Sequence, residues 1–449
     1  MLHIKNGTLV TGEGLKKASL WVRDGKIAQI GGDLQETQVL DAAGMLVFPG
    51  FIDAHTHLQM DTGTAVTADS FETGTAAALA GGTTAIIDFA TQERGKTLRE
   101  AFETWSGRAA GHCSCDWGLH MAVTGWSGQT RSELADMARL GVTSLKAYMA
   151  YDSLRIADSE LRSLMEAGRE LGLITGVHCE LGDEVNRGIH SLLEQGCREP
   201  KYHPLSRPAG VEALAVRRAL QLARQADAPL WVVHLSTKSG LQEIRAAREA
   251  GQRVLVETCP QYLTLNDAVY AWEGFEAAKF ICSPPVRGEE DRQALLDALL
   301  AGEIDIVSTD HCSFNFKGQK ELGRNDFSMI PNGLPGIEHR PMLVWSACGP
   351  GPQRMAKALS ENPARAFGLY PRKGALQPGS DADLVIWDPA GVRVITAADQ
   401  VQNVDYTPWE GFRAEGVPRQ VYLGGELCAE YGRVIRGGRG RYLPRASVW

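Results

Sequence analysis

Phe51-Ile52-Asp53-Ala54-His55-Thr56-His57 is the stretch that decides the fold. It is a short apolar run ending in two histidines one residue apart. Side chains on an extended strand alternate with period two, so both imidazoles project to one side and can grip one ion. Four further runs close in the same manner: Ser144-Leu145-Lys146-Ala147-Tyr148, Gly176-Val177-His178, Trp231-Val232-Val233-His234 and Ile306-Val307-Ser308-Thr309-Asp310. Polar groups dispersed over about 250 residues, yet always at or near a strand's carboxyl end, are what a (β/α)8 barrel of the TIM type presents on its active face.

The surrounding text agrees. From Val47-Phe48-Pro49-Gly50 onward, short and nearly continuous apolar runs alternate with charged helical segments, the pattern of parallel strands buried on both faces. Strands are expected to end near His57, Phe89, Val123, Lys146, His178, His234, Thr258 and Asp310, with helices over 132–138, 158–171, 211–225, 240–250 and 289–300. Before this region, Leu20-Trp21-Val22-Arg23, a turn at Asp24-Gly25 and Ile27-Ala28-Gln29-Ile30 read as antiparallel strands. After Phe367-Gly368-Leu369-Tyr370, β character returns in Ala382-Asp383-Leu384-Val385-Ile386-Trp387 and in 417–423. The expected organisation is a composite β-sandwich built from 1–48 and 370–449 beside a catalytic barrel over 49–369. The Gly/Arg-rich stretch 432–441 reads as a mobile tail, and Glu338-His339-Arg340 as a solvated helix start.

Composition narrows the partner. The 449 residues carry a net charge of −8 from 46 basic and 54 acidic side chains, with no run of one sign that would suit nucleic acid or a membrane surface. A small-molecule partner is expected. No segment offers the roughly 20 apolar residues of a membrane span, and the first residues lack an apolar signal core, so the expected location is cytoplasmic. Nine scattered cysteines fit a reduced compartment, and Cys113-Ser114-Cys115 lacks the spacing of a zinc site.

Taken singly, the members of the constellation are ambiguous. His55 and His57 could be ordinary core histidines, His178 and His234 could be structural, and Asp310 could cap a helix. Asp310 could equally ligate a metal and accept a proton from bound water. Lys146 carries the most information, because an ammonium cannot donate a lone pair to a metal and would be repelled by one. Reaction of its neutral amine with carbon dioxide would convert it to a carboxylate on a long arm, N6-carboxylysine, able to bridge two cations. Two divalent metals about 3.5–4 Å apart would share a hydroxide and polarise the carbonyl it attacks, which is hydrolysis of an unreactive bond such as an amide. Zinc suits the ligand set, as do manganese and cobalt.

These residues resemble the cyclic amidohydrolases, within them the hydantoinase and dihydropyrimidinase group, across nearly the whole chain. The resemblance extends to Gly81-Gly82-Thr83-Thr84, Val256-Glu257-Thr258-Cys259-Pro260-Gln261-Tyr262-Leu263, Ser283-Pro284-Pro285-Val286-Arg287, Asn332-Gly333-Leu334-Pro335-Gly336-Ile337-Glu338 and Tyr406-Thr407-Pro408-Trp409-Glu410-Gly411. It implies two zinc ions, one held by His55, His57, Lys146 and Asp310 and the other by Lys146, His178 and His234, with carboxylated Lys146 bridging them. It further implies a homotetramer, Asp310 as the proton carrier, Tyr151 as donor to the developing oxyanion, and Ser283 and Asn332 as the positions whose backbone holds the imide edge of the ring. The implied reaction opens a cyclic ureide or imide to an N-carbamoyl amino acid.

Within the group, dihydroorotases place an arginine two residues after the second histidine, where this chain has Gln59. A carboxylated ring would lose its bidentate partner there. Allantoinase stays open as an alternative, as does a scaffold without catalysis, although every ligand is present. Thr62, next to Asp61, and Tyr148 stand where apolar residues or phenylalanine are frequent, pointing to a more polar pocket around the ring's substituent.

Overall fold

The computed structural model describes every residue except 33, 35–37 and 350. Eight strands form one sheet in chain order: β1 Phe51–Thr56, β2 Thr83–Thr91, β3 Asp116–Ala122, β4 Ser144–Tyr148, β5 Ile174–His178, β6 Leu230–Val232, β7 Val254–Thr258 and β8 Ile306–Val307. All neighbours pair in parallel, as Lys146 with Gly176 and Tyr148 with His178 between β4 and β5. First and last strands meet through a parallel bridge between Thr56 and His311, with the His57 N–H donating to the His311 carbonyl at 2.8 Å. The barrel is thus closed at its C-terminal rim. All eight expected strand ends fall within three residues of the observed ones; β4, for example, runs two residues past Lys146.

A bulge in β1 aims the two histidines. Asp53 to Thr56 advances three residues while the partners Ile86 to Asp88 advance two, so one residue is extra. Ile52 and Ala54 already face the interior with Ala85, Ile87, Phe89, Ile174 and Trp231. The extra residue shifts the alternation, which turns His55 and His57 inward as well. Their rings rest on Phe89 at centroid distances of 4.6 and 5.1 Å. Below them Trp231 lies 4.9 Å from His120 and 4.9 Å from Phe367, an aromatic floor that excludes water from the underside. Gly176 makes room for it, since a Cβ there would lie 2.4 Å from the indole.

Both ends of the chain build the sandwich. One sheet joins Lys26–Ile30, Leu20–Arg23, Leu2–Lys5 and Gln38–Asp41. The other interleaves the C-terminal strands Leu384–Val394 and Arg413–Leu423 with Leu46–Pro49, Thr8–Val10 and Leu15–Lys17. Leu46–Pro49 pairs antiparallel with Leu384–Val394 and runs almost directly into β1, so the sheet register fixes where the barrel begins.

Two expectations are corrected here. Glu338, His339 and Arg340 are not a solvated helix start; all three are fully buried. The Arg340 guanidinium donates to the carbonyls of Ile52 (2.8 Å) and Val307 (3.0 Å) and to the Thr83 hydroxyl (3.0 Å), tying β1, β2 and β8 together. The Gly/Arg-rich stretch is not a free tail either. Trp117 N–H donates to the Arg441 carbonyl at 3.0 Å, Leu443 N–H to the Trp117 carbonyl at 2.7 Å, and buried Arg445 reaches the Ser144 hydroxyl at 2.9 Å.

Sandwich and barrel are also joined by charge. Buried Lys373 sits among Asp116 at the start of β3 (2.6 Å), Asp383 (2.5 Å) and Asp381 (3.0 Å). The three carboxylates have a geometry that could hold a metal, but Lys373 already lies among them, and Asp381 pairs with Lys26 and Arg372 as well. Lys373→Met would leave them buried without that cation and should cost about 3–5 kcal/mol of stability. Denaturant unfolding checks this, and an unchanged midpoint would refute it.

Candidate metal centre and active site

Every site residue expected from the sequence lines one cavity of about 1330 Å³ at the C-terminal mouth of the barrel. His55 and His57 come from β1, Lys146 from β4 and His178 from the end of β5, while His234 and Asp310 lie just past β6 and β8. His234, Asp310 and Tyr151 have left-handed backbone, with φ of 38°, 53° and 66°. Such conformations cost a non-glycine residue about 1–3 kcal/mol each and persist where the surroundings over-determine them.

The donor atoms converge in two groups. Asp310 Oδ1 lies 3.2 Å from His55 Nε2 and 3.2 Å from His57 Nε2. His178 Nδ1 lies 3.0 Å from His234 Nε2. His55, His234 and Asp310 together form a set able to hold a metal ion. The other ring nitrogens explain the aim. His55 Nδ1 donates to Glu257 at 2.7 Å, and His178 Nε2 to Glu180 at 2.8 Å, so each ring keeps its lone pair for the centre. His57 Nδ1 and His234 Nδ1 are buried with no hydrogen-bond partner.

Lys146 sits amid these groups. It is buried, its Nζ 5.0 Å from the Phe89 ring centroid and 5.3 Å from that of Tyr148. Burial lowers its pKa to about 8, although Asp310 and Glu257 oppose the fall. Burial lowers His178, and the Lys146 charge adds to the fall there and at His57 and His234. Burial takes His57 down to about 4 and His234 well below its ordinary value. His55 is the exception: burial lowers it, but Glu257 and Asp310 together leave it raised. Asp310 is held well below the carboxylate range, because His55 and His57 outweigh its burial. His57, His178 and His234 therefore offer neutral imidazoles and Asp310 an ionised carboxylate, the forms that bind a cation, whereas His55, held between Glu257 and Asp310, would give up a proton when a cation binds.

Around this centre, Tyr151 packs on the His178 ring at 5.2 Å and under the Arg207 guanidinium at 5.5 Å. Burial pushes its hydroxyl up to about 12, so it stays a donor at neutral pH. Ser283 Oγ and Asn332 Oδ1 are buried without partners on the cavity wall. Tyr148 lies deeper and is buried. Thr62 is at the exposed mouth, where its hydroxyl donates to the Ala65 carbonyl at 2.8 Å and Asp61 accepts from Gly63 N–H at 2.8 Å. Their polar atoms thus serve their own turn.

Sequence reading did not single out Glu257, Glu180 and Arg207. Glu257 had a signal, a carboxylate within the otherwise apolar Val254-Leu255-Val256 run, which demands a buried partner. Glu180 follows His178 by two residues. Arg207, whose Nη1 bonds Glu180 at 2.6 Å, comes from a turn with no such mark.

Comparison with known proteins agrees with this geometry. The model of the amidohydrolase family matches residues 46–428. A D-hydantoinase of Ralstonia pickettii is 40% identical over 448 residues, 98% of each chain, and one of Geobacillus stearothermophilus is 42% identical over 454 residues, 99% of this chain and 96% of its own. The crystal structure of a dihydropyrimidinase from Brevibacillus agri superposes with a TM-score of 0.97 at 39% identity, covering 100% of this chain and 99% of that one. The chain belongs to the amidohydrolase family.

Because Glu257 fixes the His55 tautomer, Glu257→Gln should weaken zinc binding by about 10–100-fold, measured by competition with a chromogenic chelator. Affinity equal to the parent protein's would show that the contact orients nothing.

Proposed function

We propose that this protein opens the ring of cyclic ureides and imides, hydantoins or dihydropyrimidines, at an amide bond to give N-carbamoyl amino acids. The observation that carries the reading is the pair of convergent donor groups on either side of buried Lys146, at the floor of a cavity lined by Tyr151, Ser283 and Asn332. In this reading the barrel, 49–369, is the catalytic domain, and 1–48 with 370–449 form the sandwich beside it.

The donor set fits two divalent ions: His55, His57 and Asp310 would hold one, His178 and His234 the other, and N6-carboxylated Lys146 would join both. Zinc is the proposed ion, the ligands being of the kind it favours. When bound, such ions supply Lewis acidity to the scissile carbonyl and make water a nucleophile near neutral pH.

The chain's own residues do the rest. Asp310 is ionised, so it can take a proton from the attacking water and return it to the leaving ring nitrogen. Tyr151 keeps its proton and can donate to the carbonyl oxygen as charge develops there. Ser283 and Asn332 would hold the imide edge, with Tyr148 and Thr62 nearer the ring's substituent. The aromatic floor under His55 keeps bulk water from one side of the site, which strengthens every electrostatic contact within it. A carboxylated ring is disfavoured: Gln59 stands where dihydroorotases have an arginine, and Arg207, a buried cation on the wall, is already paired with Glu180.

The family resemblance supports a homotetramer. No described helix is long and apolar enough to cross a membrane.

The deciding experiment assays the zinc-loaded protein by kcat/KM on hydantoin, phenylhydantoin, dihydrouracil, allantoin and dihydroorotate. The first three should lead, and chelation should abolish turnover until metal is restored. Dihydroorotate in the lead would overturn the reading of Gln59, and turnover of none would overturn the function. Carboxylation of Lys146 needs its neutral amine, and burial has already brought the pKa down to about 8. At fixed dissolved carbon dioxide, zinc reactivation of the stripped protein should therefore speed up as pH rises towards 8 and level off above it. A rate flat across that range would exclude the modification.

A further inference from the structure

Lys320 stands outside the groups described so far. It opens the short turn Lys320–Gly323 in the loop beyond Asp310 and is completely buried. Among the described residues no carboxylate pairs with it. Its Nζ donates instead to the carbonyls of Ile281 (2.8 Å), Pro331 (2.7 Å) and Gly333 (2.8 Å). An ammonium has three donors and no lone pair, so three carbonyls saturate it; a neutral amine would turn a lone pair onto one of those oxygens. Burial lowers its pKa to about 7, with Cys282 and Cys312 opposing that fall.

The three carbonyls share a location. Ile281 precedes Ser283 by two residues, and Pro331 and Gly333 flank Asn332. Gly333 N–H also donates to the Ile281 carbonyl at 3.0 Å, so one ammonium and one backbone bond clamp the two segments together. Ser283 and Asn332 line the cavity and present buried, unpartnered oxygens, whereas Lys320 does not reach it. A trans peptide is planar, with its C=O and N–H pointing opposite ways. Fixing the Pro331 carbonyl on Lys320 therefore points the Asn332 N–H away from the lysine. Among the described residues nothing accepts from that N–H, and a cation on the carbonyl end of the same peptide makes it a stronger donor.

We propose that Lys320 is a positioning residue for ring binding: it sets and polarises the Pro331–Asn332 peptide edge that grips the imide and anchors, through the Ile281 carbonyl, the segment that carries Ser283, without touching the substrate. The proposal rests on the ring-opening reading above. A lysine that only filled space could be replaced by a methionine of similar length with no effect on substrate affinity.

The test uses zinc-loaded full-length Lys320→Met and Lys320→Ala, assayed with dihydrouracil and hydantoin beside the parent protein, with zinc stoichiometry and melting temperature recorded. Loss of one preset edge should raise KM at least about tenfold in both variants, with kcat within about threefold and zinc content unchanged. Methylammonium, which can enter the space vacated in Lys320→Ala, should bring KM back towards the parent value. KM within about twofold of the parent in a folded, zinc-replete Lys320→Met would overturn the proposal. So would a loss confined to zinc content and melting temperature with no rescue by methylammonium, the mark of a purely structural lysine. If the parent itself opens neither ring, the underlying functional reading falls, a result distinct from either outcome in the variants.

Discussion

A primary ammonium buried among four imidazoles is the constraint on which the site turns. Cations of this kind are expensive to bury and are kept only when paired. Lys146 has instead a depressed pKa, an aromatic ring on two sides, and Asp310 and Glu257 as the carboxylates opposing its loss of charge. Its surroundings make sense for a group that becomes an anion, because Glu257 and Glu180 hold the N–H of His55 and His178 on the far side of each ring and leave the other ring nitrogen to the centre. The carboxylates behind the imidazoles are as much part of the centre as the imidazoles themselves.

That arrangement draws on the whole barrel. The β1 bulge brings His55 and His57 into the interior, and the rim bridge between Thr56 and His311 closes the sheet beside them. Arg340 then binds carbonyls at β1 and β8 from outside the site, so the seam between first and last strands is held by a buried guanidinium as well as by strand pairing. The left-handed backbone at Tyr151, His234 and Asp310 costs energy locally and is sustained by this frame. The chain's rigid parts and its strained parts are adjacent by necessity: strained residues stay in place only where their neighbours cannot yield.

Where sequence reading erred, it erred in one direction, by treating charge as a mark of exposure. Glu338, His339 and Arg340 looked solvated because nothing local offered them partners. Their partners are Arg393 and the Val401 N–H for Glu338, and the carbonyls of β1 and β8 for Arg340. The Gly/Arg-rich stretch looked mobile for the same reason, yet its backbone pairs with β3 and Arg445 enters the base of the barrel. In both cases the satisfying groups lie far off along the chain, which no local pattern can reveal.

By itself the sequence determined the barrel and the identity of the convergent side chains. Strand and helix periods are local, and a polar group closing an apolar run is visible without knowing what it meets. It also pointed to Lys146 as anomalous, since a lysine's chemistry among histidines is wrong whatever the distances. Only the tertiary structure decided how these groups are aimed and charged. The bulge, the tautomers set by Glu257 and Glu180, the lowered pKa of Lys146 and the grip of Lys320 on three carbonyls all depend on contacts between distant segments. Burial, which sets the strength of each of those interactions, is a property of the packed chain and of no stretch within it.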